Sequence, residues 1–150
     1  MGQYDILFEP IDIGPVRVSN RIYQPAHCTM FGEGIRNAMF RAEKAKGGFG
    51  LIIQEWTAVS QDADLFPTRN GNIWDLSLLH EHEKITRAVH RYGAKIFLQL
   101  VHTGQVAASW LGGTHKLPAI APSPGCLVEM SAAKEMEEED FERVVEAFGE

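Results

Sequence analysis

One stretch of this chain, Phe49 to Ile53, is apolar on both faces, and a second, Lys95 to Val101, is mostly apolar. The first suits a strand buried in a parallel sheet better than a half-exposed antiparallel one. Each follows a segment with helical periodicity that ends in glycine. Residues 36–46 read as an Ala-rich helix with an apolar stripe of Ala38, Met39, Ala42 and Ala45, closed by Gly47-Gly48. Residues 77–92 read as a second helix. Leu78, His82, Ile85, Val89 and Tyr92 fall on one face, Ser77 is its expected N-cap and Gly93 its stop.

Upstream, Asn20 to Cys28 reads as a short strand at 21–24, which Pro25 breaks because it lacks the N–H a ladder needs. Before it, Ile6-Leu7-Phe8, Ile11-Asp12-Ile13 and Val16-Arg17-Val18 alternate apolar and polar residues. Gly14-Pro15 between the last two predicts a small hairpin. Residues 57–76 read as a long loop with turn formers at Asp62, Asp64, Pro67, Asn70, Gly71 and Asn72, and 106–136 as largely loop with Gly112-Gly113. A last helix begins near Glu137, its acidic start favoured by the helix dipole and its buried face made of Phe141, Val144, Val145 and Phe148.

Strands alternating with helices imply a parallel sheet with right-handed crossovers, either half of a doubly wound sheet or the front of an eight-unit barrel. The first strand–helix turn carries no G-x-G-x-x-G or phosphate-loop sequence, which weakens the first option. A barrel needs about 250 residues, so these 150 read as the front part of a longer protein.

Composition narrows the function classes. A net charge of −6 with scattered Lys and Arg argues against a nucleic-acid surface. No apolar run approaches a membrane span, and the N-terminus has no secretory pattern. Cys28 and Cys126 are far apart and do not form a disulfide framework, so a reducing cytoplasm is expected. His80 and His82 lie about 200° apart around a helix axis and cannot share one ion. No metal is expected.

In a barrel the strand ends His27-Cys28, Glu55-Trp56 and Gln99 to His102 would face one end, where sites assemble. Each has a plainer reading. Cys28 could be an inert buried thiol, Trp56 a core cap, Gln99 a partner for a neighbouring backbone group, and His102 a turn residue.

Leu7-Phe8-Glu9-Pro10-Ile11-Asp12-Ile13-Gly14 followed by Asn20-Arg21-Ile22 resembles the opening of the Old Yellow Enzyme superfamily of FMN-dependent oxidoreductases. Gly47-Gly48-Phe49-Gly50-Leu51-Ile52-Ile53-x-Glu55 resembles its second strand, Gln99-Leu100-x-His102-x-Gly104 its third, and Ala121-Pro122-Ser123 the following loop. The resemblance implies a (β/α)8 TIM barrel, of which residues 1–150 supply an N-terminal hairpin and the first three strand–helix units. Tyr4 to Pro10, Tyr23-Gln24-x-x-His27-Cys28 and Lys134-Glu135-Met136 are most similar to the trimethylamine dehydrogenase-like subgroup. There the cysteine at the Cys28 position is bonded to C6 of the flavin. In some ene-reductases of the superfamily a cysteine in this place instead tunes the flavin through a hydrogen bond, and a thiolate can do either.

By resemblance, Pro25, Ala26, His27, Cys28, Trp56 and Gln99 contact the FMN. Trp56 and His102 face the substrate, Trp56 offering its ring to a substituted ammonium group. Gln99, His102 and Gly104 follow the general reductase pattern, and Gln105 replaces that pattern's usual arginine, so two subgroup signatures are mixed. The implied activity is oxidation of an N-methylated amine or betaine. The rivals are an NAD(P)H-dependent ene-reductase of the 2,4-dienoyl-CoA reductase kind and a non-catalytic barrel fragment. The resemblance also admits an iron–sulfur cluster and NAD(P)H in a C-terminal part, an electron-transfer partner protein and a homo-oligomer.

Overall fold

The computed structural model describes residues 2–32, 34–63, 71–107, 118–125 and 133–149. Asp64, Pro67, Asn70, Gly112, Gly113 and Cys126 lie outside the described residues. Two compact units divide the chain: Met1–Glu55 with Leu79–Gln99, and Trp56–Leu78 with Leu100–Glu150.

The first unit opens with a 3-10 turn, Asp5–Phe8, where the sequence suggested the first of the alternating runs. Its Tyr4, Ile6, Leu7 and Phe8 are exposed. The expected hairpin follows: β1 (Ile11–Ile13) pairs antiparallel with β2 (Val16–Val18), and Gly14 takes the left-handed conformation that the tight turn requires. The next strand, β3, is only Tyr23–Gln24, shorter than the expected 21–24. It pairs in parallel with β4 (Leu51–Ala58), Tyr23 beside Leu51 and Gln24 beside Ile52.

Asn20 explains both the shortness of β3 and the register. Its side-chain amide donates to Gly48 O at 2.9 Å, and its Oδ1 accepts from Ile22 N and Gly50 N at 3.0 and 3.1 Å. Residues 20–22 are thus held by this side chain together with backbone bonds from Gly50 N to Ile22 O at 3.0 Å and from Arg21 N to Leu7 O at 2.8 Å. A β-carbon on Gly50 would come within 2.8–3.0 Å of Asn20 atoms, two of them backbone, so this approach demands glycine.

Helix α1 (Ile35–Lys46) lies close to expectation, but its buried face does not. Asn37, Ala38, Arg41 and Ala45 are buried, whereas Met39 is exposed. The stripe is rotated because two polar residues, Asn37 and Arg41, have partners inside. The second helix, α2 (Leu79–His90), is shorter than the expected 77–92. Residues 76–78 form a 3-10 turn, and Asp75 accepts from Ser77 N, so Ser77 is not the helix cap. Of its expected face, Ile85 and Val89 are buried and Tyr92 is exposed. Strand β6 (Lys95–Val101) has the bounds read from the sequence and pairs with β4. Ala45, Ile52, Val89 and Ala94, with Phe49 and Ile96 against them, make the core of this unit.

In the second unit β4 ends beside β5 (Gly71–Asn72), Thr57 pairing with Gly71 and Ala58 with Asn72 in parallel. The stretch read as a long loop therefore holds strand residues at both ends, with a 3-10 turn at Gln61–Ala63. Short parallel strands β7 (Ile120–Ala121) and β8 (Lys134–Glu135) interrupt the second expected loop. Helix α3 (Glu138–Gly149) starts where acidic residues predicted it. Asp140 accepts from Glu137 N at 3.0 Å, the reach-back that caps a helix start. Its apolar face is not buried, a correction: Phe141, Val145 and Phe148 are exposed, and Ala147 is the residue packed on Ala58, Val59 and Ala63. Among the described residues no helix is long and apolar enough to cross a membrane.

Candidate functional site

The loop after β3 carries Pro25, Ala26, His27 and Cys28. Pro25 and His27 are exposed, and Ala26 and Cys28 half-buried. The loop is fixed by Glu55, which the sequence offers only as a strand-end residue, and by Thr29, Asn37 and Arg41, which it does not single out. Glu55 on β4 is buried, and its carboxylate accepts from Thr29 N, from Thr29 Oγ1 at 2.7 Å and from Asn37 Nδ2 at 3.3 Å. Arg41 from α1, with none of its side chain exposed, stands 3.5 Å from the same carboxylate. It also donates through Nε to Asn37 Oδ1 at 3.1 Å and through Nη2 to the carbonyl of His27 at 3.3 Å. Asn37 closes the other side by donating to Gly32 O at 2.8 Å. A buried charge survives only where it is paired and hydrogen-bonded. Here pairing and bonding together pin residues 27–32.

Burial pushes the Arg41 guanidinium below its ordinary value, while the neighbouring Glu55 opposes that shift. Arginine remains a cation nonetheless. Within the loop Met30 sits at φ +57°, the one non-glycine residue in the left-handed region among those described. Such conformations concentrate where structure over-determines them. The signal available in the sequence was the i, i+4, i+8 spacing of Asn37, Arg41 and Ala45, with Glu55 as the unpaired acid of a buried strand.

Gln99, in the same unit, is an exposed amide within β6. Gln24, at the end of β3, is buried, and its Oε1 has no hydrogen-bond partner among the described residues.

Trp56 and His102 belong to the second unit. Trp56 is half-buried in β4. His102 accepts from Gly104 N through Nδ1 at 3.1 Å, as a turn residue would. Its Nε2 is buried without a hydrogen-bond partner among the described residues and lies 3.8 Å from Asp62 Oδ1. Asp62 is buried, and accepts from Ser60 at 2.6 Å and Arg143 at 2.7 Å. Burial alone would raise its carboxyl, but contacts with His102, Ser60 and Arg143 outweigh that and hold it well below the usual carboxylate range. Thr103 donates to Ala63 O through both its backbone N–H and its hydroxyl. The end of β6 is thereby tied to the turn that carries Asp62. The sequence offers Asp62 only as a turn former and gives no sign of Arg143 as its partner.

Residues 6–150 match the NADH:flavin oxidoreductase / NADH oxidase family. The chain belongs to that family. It is 32% identical over 153 residues to the N,N-dimethylglycine/sarcosine dehydrogenase of Chromohalobacter salexigens, covering 97% of this chain and 22% of the relative. It is 34% identical to the cinnamate reductase of Clostridium sporogenes, covering 99% and 24%. Among solved structures it resembles histamine dehydrogenase from Rhizobium sp. 4-9, with a TM-score of 0.86, 27% identity and coverage of 97% and 23%. The chain thus spans about a quarter of the length of these relatives, and its fold is part of the (β/α)8 barrel they share. The residues present suit a flavin. The unpartnered acceptor of Gln24, the exposed amide of Gln99 and the half-buried sulfur of Cys28 are the kinds of group that a flat, hydrogen-bonding heteroaromatic ring requires.

Proposed function

We propose that the protein to which this chain belongs is an FMN-dependent oxidoreductase that oxidises an N-methylated amine or betaine. When bound, FMN supplies the redox chemistry by taking the hydride equivalent at N5. The observation that supports this reading is the half-buried sulfur of Cys28 on a loop anchored by buried Glu55 and Arg41. Pro25, Ala26, His27 and Gln99 hold the flavin, Gln99 through its amide. Cys28 attaches it or tunes it. Were Cys28 the attachment point, its sulfur would take the place of a ring hydrogen of the flavin, a net loss of two protons and two electrons to an oxidant such as dioxygen. Trp56 presents its ring to the substituted ammonium group, where a cation gains from the aromatic face, and His102 is the second substrate-side residue. The similarity to a dimethylglycine/sarcosine dehydrogenase favours this substrate class.

The second reading is an NAD(P)H-dependent reductase of activated C=C bonds. It is favoured by the reductase-like Gln99, His102 and Gly104 and by the 34% identity to a cinnamate reductase. Anaerobic mixing of the intact flavoprotein with dimethylglycine, dimethylamine or NADPH separates the two. Bleaching of the flavin by a methylated amine is expected. Bleaching by NADPH alone, with turnover of an enone or enoate, would establish the reductase instead. Acid denaturation reports the role of Cys28: colour retained on the protein indicates the sulfur bond, and colour released indicates tuning.

A further inference from the structure

Glu55 has more donors than a simple ion pair needs. Thr29 supplies two and Asn37 a third, all converging on a carboxylate that Arg41 approaches only to 3.5 Å. Arg41 therefore shares its counter-ion with three neutral donors. Its Nη1 is buried with no hydrogen-bond partner among the described residues, and its Nη2 rests on the carbonyl of His27, the peptide that leads into Cys28. A cation so incompletely neutralised in a low-dielectric interior projects a positive potential onto whatever lies beside it. The acid beside it is Glu55, and the residue after the carbonyl it holds is Cys28.

We propose that Arg41 is a positioning residue for Cys28, fixing its loop through the His27 carbonyl and supplying the positive charge against which the sulfur stands as a thiolate. As a role for a flavin-directed sulfur this rests on the reading above. The charge relationship itself can be measured without flavin. Other ionisable groups on the surrounding elements are engaged differently. The imidazole of His27 belongs to an exposed residue, and Arg36 of α1 lies 4.1 Å over the ring of Phe31. Glu81 of α2, close to Gly34, is paired with Lys84 and His80. Among the described residues, Arg41 holds the peptide that leads into Cys28, and Glu55 holds Thr29 directly after it.

The test is the pH dependence of Cys28 alkylation by iodoacetamide in the intact protein, produced under riboflavin limitation so that the sulfur is accessible. Modification is followed on the peptide that contains Cys28 by mass spectrometry. Arg41→Met should raise the midpoint of the profile by roughly one to three pH units, a loss of tenfold or more in rate below the wild-type midpoint. Arg41→Lys should recover most of it. Glu55→Gln should move the midpoint the opposite way, because the competing negative charge is gone. That reversal is not expected of a residue that merely packs. If Arg41→Met does not fold, Arg41→Lys and Glu55→Gln decide: a wild-type midpoint for Glu55→Gln, or an upward shift, overturns the proposal. So does an equal shift for the Lys and Met variants. Should the profiles move as expected in a protein that never carries flavin on Cys28, the attachment reading fails and the role of Arg41 stands.

Discussion

Arg41 of α1 and Glu55 of β4 face each other at 3.5 Å with 0% and 1% of their side chains exposed, beneath the loop that holds Cys28. Removing one member of such a pair strands the other as a buried charge, at a cost of about 3–5 kcal/mol. Glu55→Ala is therefore expected to lower the urea midpoint of unfolding severely, and Arg41→Met to do likewise. The double variant should be less destabilised than the sum of the two. Additive losses in a double-mutant cycle would show that the two charges do not interact.

Asn20 ties the approach to β3 onto the start of β4 with three hydrogen bonds from one side chain. At about 1 kcal/mol each, Asn20→Ala should cost about 2–3 kcal/mol. Asn20→Asp keeps both acceptor bonds and loses the donor to Gly48 O, so it should cost less than Asn20→Ala in the same chemical-denaturation series. Gly50→Ala should be as harmful as Asn20→Ala for a different reason, since the added methyl meets the backbone of Asn20. A neutral Gly50→Ala would mean the two segments are free to separate.

How far these features could be read beforehand depended on whether they are periodic. Strand β6 and helix α1 announce themselves through apolar runs, helical spacing and terminal glycines, and both were placed to within a residue. The face of α1 differs from the periodicity because Asn37 and Arg41 count as polar, although they are buried by bonding to Glu55, Gly32, His27 and each other. The apolar stripe of α3 was read as buried because hydropathy reports what a face would gain from burial, not whether anything covers it. Cys28, Trp56 and Gln99 come forward as residues at strand ends, and the resemblance in motif supplies their roles. Asp62 and Arg143 do not, because 81 residues separate them in sequence and no local pattern links them.

Trp56 provides a test of substrate class in the intact enzyme. If its ring carries part of the ammonium binding, Trp56→Leu should raise KM for a methylated amine by roughly 2- to 30-fold, the range of a cation–π contact. The midpoint of thermal unfolding should move much less than it does for Glu55→Ala. An unchanged KM would remove the residue from the substrate side.

Asp62 makes the acid stability of the second unit predictable in sign. Its native carboxyl is held below the ordinary value of about 3.9 for an unfolded chain. The unfolded state therefore binds the proton first as pH falls. The stabilisation is fully present above about pH 4 and is lost progressively below it, toward the native value. Asp62→Asn should lower stability at pH 7 and flatten the decline below pH 4, because the group whose protonation drives that part of the loss is gone. Arg143→Met removes a 2.7 Å donor from Asp62 and should raise the native carboxyl toward its unfolded value. The half-exposed position of that arginine limits the cost at pH 7 to about 1 kcal/mol. Urea unfolding at pH 7, 4 and 3 reads both effects. A wild-type slope between pH 4 and 3 in Asp62→Asn would show that other carboxylates dominate acid unfolding.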